Sequence, residues 1–494
     1  MLYSKPEMPS LQTIHVKGNT YYRLVSCRRI NGKPTPVVLA YLGKADDILQ
    51  RIEAADEARV RSWSHGAVAA LYALAHELRL AERIDAHLSS SGRRLRPSST
   101  TSGPLPPQKN DGLTVGQSLA LVAIGRACCA TSKRAFAEWA KTTTLGQLAG
   151  VEVDRLTSQH FWDQMDQLPV ELIEPIERDL VADVVGRFQI PLDTLLFDAT
   201  NFFTFIASAN RRCELPARGK QKQKRNDLRQ VGVALLCSRQ HSIPLWHRTY
   251  GGNVADATCF SQALSSLKQR MLALGRDLES LTVVYDKGNV SRANQAQVDE
   301  SKIHYVSALT VASQRELVDQ ANPLLAPVEL GPDETVPAYR TKKEIWGAER
   351  TVVVVCSERL RQGQMAGVMQ HVMKAQQWLA EQADTLRRGK QRRNRARIER
   401  DIENYLKGRQ HLSQVLRFRL TGEDPHLTLS HEFDQAAFDA LARDTFGRVV
   451  LMTDRHQWST ADIIRTYHGQ AAVEAVFAHL KDPSHLALRP QHHW

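Results

Sequence analysis

From Asp193 onward the order of local patterns leaves few architectures open. DTLLFDATNFFTFI, QVGVALLCSRQ and SIPLWHRTYGG read as three strands, rich in β-branched and aromatic residues, the last two joined by a polar turn. ATCFSQALSSLKQRMLAL then carries apolar residues at helical spacing, LTVVYDKGNV is a buried strand, SRANQAQVDES a helix and HYVSALT a strand. Three strands followed by helix–strand–helix–strand point to a mixed α/β sheet with flanking helices rather than a barrel.

The chain has 494 residues, too many for one ordinary core, so several domains are expected. Residues 13–43 read as short strands, with turn chemistry in NGK at 31–33. From Ser64, a plausible N-cap, SHGAVAALYALAHELRLAERIDAHL has the helical period. Residues 89–112 are rich in Ser, Pro, Gly and Arg and read as a flexible linker. Helical patterns continue to about 185, with two helices interrupted at Pro169. Past 311, RTVVVVCSERL is strand-like, two long helices flank RRGKQRRN, and GRVVLMTD is another strand. The expected division is a β-rich segment at 1–50, a mainly helical DNA-binding region at 51–185, the first part of a sheet domain at 186–310, an insertion at 311–445 and the rest of the sheet domain at 446–494.

A formal net charge of +12 favours a polyanionic partner, although charge alone is equally compatible with a merely soluble basic protein. No secretory leader opens the sequence and no apolar run reaches the ~18 residues of a membrane span, so nucleic acid is favoured over a membrane surface. The seven cysteines form no CxxC pair and no zinc spacing, which fits a reducing, cytoplasmic compartment. No phosphate-loop or dinucleotide fingerprint appears.

Asp198 ends the apolar run TLLFD, and Asp286 ends LTVVYD. Sites in open α/β sheets gather outside the carboxyl ends of strands, and two aspartates leaving neighbouring strands would suit a divalent ion. Either aspartate alone is more often a turn or cap residue. RTYHGQAAVEAVFAHLKDP, 465–483, reads as one amphipathic helix. Tyr467, Gln470, Glu474 and Lys481, at spacings of three, four and seven, project from nearly one face, beside an apolar stripe of Val473, Phe477 and Leu480. The bland reading of such a Glu–Lys pair is a solvated face. Ser459 with Asp462 three residues on resembles a capping box that opens the helical segment.

Together these residues resemble the DDE-class transposases of bacterial insertion sequences, in the group marked by Tyr-x2-Arg-x3-Glu-x6-Lys. Here the motif reads Tyr467-x2-Gln470-x3-Glu474-x6-Lys481. FDATNF and VYDKGNVS resemble the family's two aspartate strands, and YYRLVSCRRINGKPTPVVLAYLGK resembles the N-terminus of one subgroup. The resemblance implies a ribonuclease-H-like core with catalytic, metal-binding Asp198, Asp286 and Glu474, an insertion before the glutamate helix, and Mg²⁺ or Mn²⁺, two ions in all. It further implies cleavage of double-stranded DNA at terminal inverted repeats, transfer of 3′-hydroxyl strands to target DNA, a homodimer on DNA, and a place at the bacterial nucleoid. Tyr467, Gln470 and Lys481 take phosphate-facing roles. Gln470 stands where the signature has Arg and lacks its charge; LRPQHHW resembles the start of a segment that continues further in the family. An inactive, truncated DNA-binding regulator is therefore an alternative, and a nuclease unrelated to transposition a third reading.

Two basic runs extend the expected DNA contacts: Lys220, Lys222, Lys224 and Arg225 near the first aspartate strand, and Arg392 and Arg393 between the long helices. A solvated surface is the plain alternative for both. Trp346 and Trp378 could stack on a flipped base, but packing is the commoner role. The histidines of HLALRPQHH have no ligand-like spacing and read as surface residues.

Overall fold

Runs buried on both sides set the frame. The computed structural model describes residues 9–488 except 31–32, 57–60, 91–111, 208, 220–224, 226, 389–393, 410 and 425. The linker expected at 89–112 therefore lies almost wholly outside the described residues. Fourteen strands are described: β1 (Ser10–Val16), β2 (Asn19–Ile30), β3 (Lys33–Gly43), β4 (Thr194–Thr204), β5 (Arg229–Ser238), β6 (Pro244–Gly251), β7 (Thr282–Tyr285), β8 (His304–Leu309), β9 (Ala326–Gly331), β10 (Glu334–Ile345), β11 (Ala348–Cys356), β12 (Leu416–Glu423), β13 (His426–Phe433) and β14 (Arg448–Thr453). Nine of them make one sheet in the order β6-β5-β4-β7-β8-β14-β11-β10-β9. β4, β7 and β8 run parallel, and the other neighbours pair antiparallel. The mixed α/β sheet with flanking helices expected from the sequence is present.

Because successive residues of a strand point to opposite faces, β4 and β7 sort their side chains between two cores. Leu195, Phe197, Val283 and Tyr285 join one cluster, with Phe260 and Leu264 of helix Asp256–Ala273 and with Val181 and Val185 of helix Ile173–Phe188. Leu196 and Val284 face the other way, onto Ile463, Ile464, Val473 and Phe477 of the last two helices. Val473 is fully buried and Phe477 nearly so, and each such side chain contributes roughly 1.5–3 kcal/mol of burial. The stripe read from sequence thus docks the end of the chain on the sheet.

Three expectations shift. The segment that packs apart from the sheet starts later than 311, because β9, β10 and β11 continue the sheet beside β14. Six consecutive residues of β11 are buried, Arg350 to Val355, as in a strand covered on both faces. The separate cluster is built from helices Glu358–Arg387 and Arg395–Lys407, the β12–β13 hairpin and helix Gln435–Asp444. At the other boundary, helix Ile173–Phe188 runs through 185 and packs on the sheet. Ser64 is not a cap: it bridges Thr143, and the helix begins at Gly66. Among the described residues no single helix is long and apolar enough to cross a membrane.

Candidate active site

Strand alternation decides where the two aspartates go. Asp198 follows Phe197 and Asp286 follows Tyr285, and those two residues are partners across parallel β4 and β7, strands about 4.8 Å apart. Asp198 shares a face with Leu196, and Asp286 with Val284, so both carboxylates lie on the side that receives the last two helices. Both are half-buried. Asp198 Oδ1 accepts the Ala199 amide at 2.8 Å.

The segment 465–483 is two helices rather than one. Thr460–His468 ends at Gly469, and Ala471–Lys481 starts after Gln470. The Gln470 amide donates to the Tyr467 carbonyl at 3.0 Å and Ala472 to Gly469 at 2.9 Å, i→i+3 bonds that tighten the chain between them. Ser459 caps the first helix: its Oγ accepts from the Asp462 amide at 3.0 Å and donates to the Asp462 carboxylate at 2.6 Å. This is a variant of the expected box.

The break separates the four signature residues without scattering them. The Tyr467 hydroxyl donates to Asp286 Oδ1 at 3.3 Å. Burial, then Asp286, then Glu474 and Asp198 hold its phenol well above the usual tyrosine range, so the fields of all three carboxylates meet at this hydroxyl. Gln470 is buried, and its side-chain amide donates to the Phe197 carbonyl at 3.5 Å, a backbone contact instead of the open phosphate-facing place expected. Glu474 is exposed, next to buried Val473 and about one turn before buried Phe477. Lys481 donates from Nζ to Thr200 Oγ1 at 2.5 Å and lies 5.1 Å from the centre of the Phe202 ring. Thr200 and Phe202 went unnoticed in the sequence, although the period of two from Asp198 puts them on the same face.

Asp198 also touches the chemistry behind it. Burial first and the Asp198 charge second push the Cys237 thiol up to about 12, which leaves a neutral, inert thiol. A cleft of about 740 Å³ opens beside Tyr467 between the sheet and the separately packed helices. Lys287, Arg315, His411 and Arg448 line it. Only Lys287, directly after Asp286, had any signal in the sequence.

The basic runs fare differently. Arg225 is paired bidentately with Asp227, at 2.9 and 2.8 Å, which occupies the cation expected to meet phosphate. Lys220, Lys222, Lys224, Arg392 and Arg393 lie outside the described residues. Trp378 stacks on Tyr405 with centroids 4.0 Å apart, a packing role. Trp346 is part-exposed at the β10–β11 turn with a positive φ of 55°.

Asp198 lies inside β4, which runs on to Thr204, and not at the strand end expected, while Asp286 directly follows β7. Such hard, half-buried oxygen donors on adjacent strands suit Mg²⁺ or Mn²⁺, which bind through one or two carboxylates plus substrate oxygens. Among the described residues no three His, Cys, Asp or Glu side chains stand close enough to share one ion. Asp198 and Asp286 share one face of β4 and β7, and Glu474 stands on the last helix.

No curated protein matches the chain in sequence. Among solved structures, the piggyBac transposase in a synaptic complex with hairpin DNA aligns at 11% identity, over 86% of this chain and 70% of that one, with a TM-score of 0.38. The Mos1 transposase in a paired-end complex with its left transposon end aligns at 11% identity, over 42% of this chain and 62% of that one, with a TM-score of 0.17. The family model of the transposase DDE domain matches residues 192–490, more than half of the chain and every residue of the site just described, and the chain belongs to that family.

Proposed function

We propose that this transposase cuts DNA at the ends of its own element and joins the 3′-hydroxyl strands to a target, with Asp198, Asp286 and Glu474 as its acidic triad. The observation that carries the reading is the hydroxyl of Tyr467, bonded to Asp286 and lying in the fields of Glu474 and Asp198. It ties Asp286 to the helix that directly precedes that of the glutamate, which supports the resemblance to the Tyr-Arg-Glu-Lys group of bacterial insertion-sequence transposases. Asp198 and Asp286, with Glu474, would hold two divalent ions, which when bound supply an activated water or 3′-hydroxyl and neutralise the leaving oxygen. The residues themselves position the substrate. Lys481, steadied by Thr200 two residues past Asp198, offers an ammonium to a phosphate beside the aspartates. Tyr467, still protonated, fixes the Asp286 carboxylate. The partners are double-stranded DNA bearing terminal inverted repeats and target DNA, bound by a homodimer at the nucleoid.

The test is cleavage and strand transfer on a plasmid carrying the element's ends, with Mg²⁺ or Mn²⁺. Alanine at Asp198, Asp286 or Glu474 should each abolish both products while leaving end binding intact. Full nicking by Glu474→Ala would remove that residue from the triad.

Gln470 favours a second reading. Its buried amide is spent on the Phe197 carbonyl, and it brings no cation to the place where the family has one. A protein that binds ends and represses without cutting would show a gel shift on inverted repeats and no nicking in Mn²⁺.

A further inference from the structure

The β1–β2–β3 sheet at the start of the described chain takes no part in the site above, and its composition is unlike that of the rest. Residues 9–44 hold six Lys or Arg (Lys17, Arg23, Arg28, Arg29, Lys33, Lys44) and no Asp or Glu. In the whole protein 65 cations are set against 53 acids, so an acid-free stretch of this length is a local departure and not a sample of the average. The three strands form a separate antiparallel sheet. β2 is 12 residues long, about 40 Å at the usual rise. The pairing of Val16 with Asn19 and of Tyr22 with Gly43 puts Lys17 and Lys44 at one end. Ile30 pairs with Lys33 at the other end, and Arg23 lies between. Positive charge is thus strung along the length of the sheet.

The surface is also open. β1 exposes Leu11, Thr13 and His15 on alternate positions, Tyr41 is 67% exposed and Leu11 60%, and among the sheet residues whose burial is described only Val25 and Ser26 are buried. A three-stranded sheet with so little core is marginal unless something covers it. The one helix beside it, Ala45–Asp56, carries acids: Asp46, Asp47, Glu53 and Asp56. Even with those acids, and with Arg51 beside them, residues 9–56 keep a net positive charge, so the partner that complements the surface is a polyanion.

We infer that β1–β3 is a DNA-docking surface, separate from the catalytic face, that lays its cations along the phosphates of duplex DNA. β3 pairs with β2 only from Tyr22 on, so the Lys17 end of the β1–β2 hairpin is two-stranded, a ribbon of the kind the major groove admits. Cations at its turn and edges, with the exposed Tyr41, are the usual donors to backbone phosphates. The inference rests on the reading that this protein works on DNA, and it does not depend on whether the carboxylates cut.

The experiment uses the full chain in EDTA, so that no cutting occurs, with a mixed-sequence 40-bp duplex as the probe across a salt series. Lys17, Lys33 and Lys44 are all exposed. The triple change Lys17→Gln, Lys33→Gln and Lys44→Gln should lower affinity about tenfold or more. It should also flatten the slope of log affinity against log salt by about 2 to 3, near 0.9 for each phosphate no longer neutralised. Each single change should lower the slope by about 1. The same three positions changed to Arg should bind as the parent does. Three exposed lysines elsewhere, Lys302→Gln, Lys342→Gln and Lys374→Gln, remove equal charge and should leave the slope nearly unchanged. Thermal melts of all variants report folding, and the single changes carry the test if the triple one melts early. Equal losses from the two Gln triples, an unchanged slope, or no duplex binding by the parent would each overturn the inference. So would binding to phosphatidylserine vesicles in place of the duplex. Loss of nicking with sheet-dependent binding retained would count against the proposed chemistry alone.

Discussion

Tyr467 shows how one side chain can report on a site. Its hydroxyl donates to Asp286, and burial followed by the Asp286, Glu474 and Asp198 charges keeps its proton on. Tyr285 is raised in the same direction, by burial first, as is Tyr305. The sign follows from linkage. A phenol that ionises near 10.0 in the unfolded chain and higher in the folded one contributes stability that is complete below pH 10. That stability is lost as pH climbs through the folded value. Denaturant midpoints measured at stepped pH from about 9 upward should hold to about pH 9.5 and fall beyond about pH 10. Tyr467→Phe should make that fall shallower by one proton, at a cost near neutrality of about 1 kcal/mol for the lost hydrogen bond. An identical decline in the variant would mean that Tyr467 ionises freely.

At the scale of elements, the last helix separates docking from chemistry. Phe477→Ala removes a nearly buried ring from the interface with Leu196 and Val284, and should cost about 3–5 kcal/mol in denaturant unfolding. Lys481→Ala should cost about 1 kcal/mol, since its exposed hydrogen bond to Thr200 contributes little, yet it should weaken nicking. A Lys481 variant that nicks normally would leave the residue only its contact with Thr200. Much of this was legible. TLLFD and LTVVYD, with aspartate at the end of an apolar alternation, fix both the strand and the face of the acid. Val473 and Phe477 fix the docking side of the glutamate helix. What was not legible is the break at Gly469, because spacings of three, four and seven suit a single helix as well as a broken one. A Cβ at Gly469 would come 3.1 Å from the Thr466 carbonyl, a crowding that appears only once the chain is folded.

The whole molecule is held by pairings that no local pattern encodes. β11 was recognisable as a strand, but its place next to β14 joins residues about a hundred apart, and hydrophobic alternation does not name a strand's partner. The tie between the N-terminal helices and the sheet is of the same kind. Glu177, on helix Ile173–Phe188, accepts from buried Arg270 at 3.0 Å and contacts His247 Nδ1 of β6 at 2.7 Å. Arg83 of helix Leu80–Ser90 bonds Asp179 on the same helix at 2.8 Å, so helix Ile173–Phe188 joins both halves. The bond to Glu177 is the main cause raising the His247 pKa from 6.5, with burial and Arg270 opposing it and Glu174 assisting. A histidine raised on folding contributes stability that is complete below 6.5 and is lost as pH rises through the folded value. Glu177 also accepts from Arg270, so the tie loosens without breaking. Hydrogen exchange, corrected for intrinsic rates, should therefore show protection of helix Ile173–Phe188 falling between about pH 6 and pH 8. Glu177→Gln should flatten that dependence while Glu174→Gln trims it slightly, because the first removes the histidine's bonded partner and the second only a distant charge. Equal protection at the two pH values in the unaltered protein would show that Arg270 alone fastens the helix to the sheet.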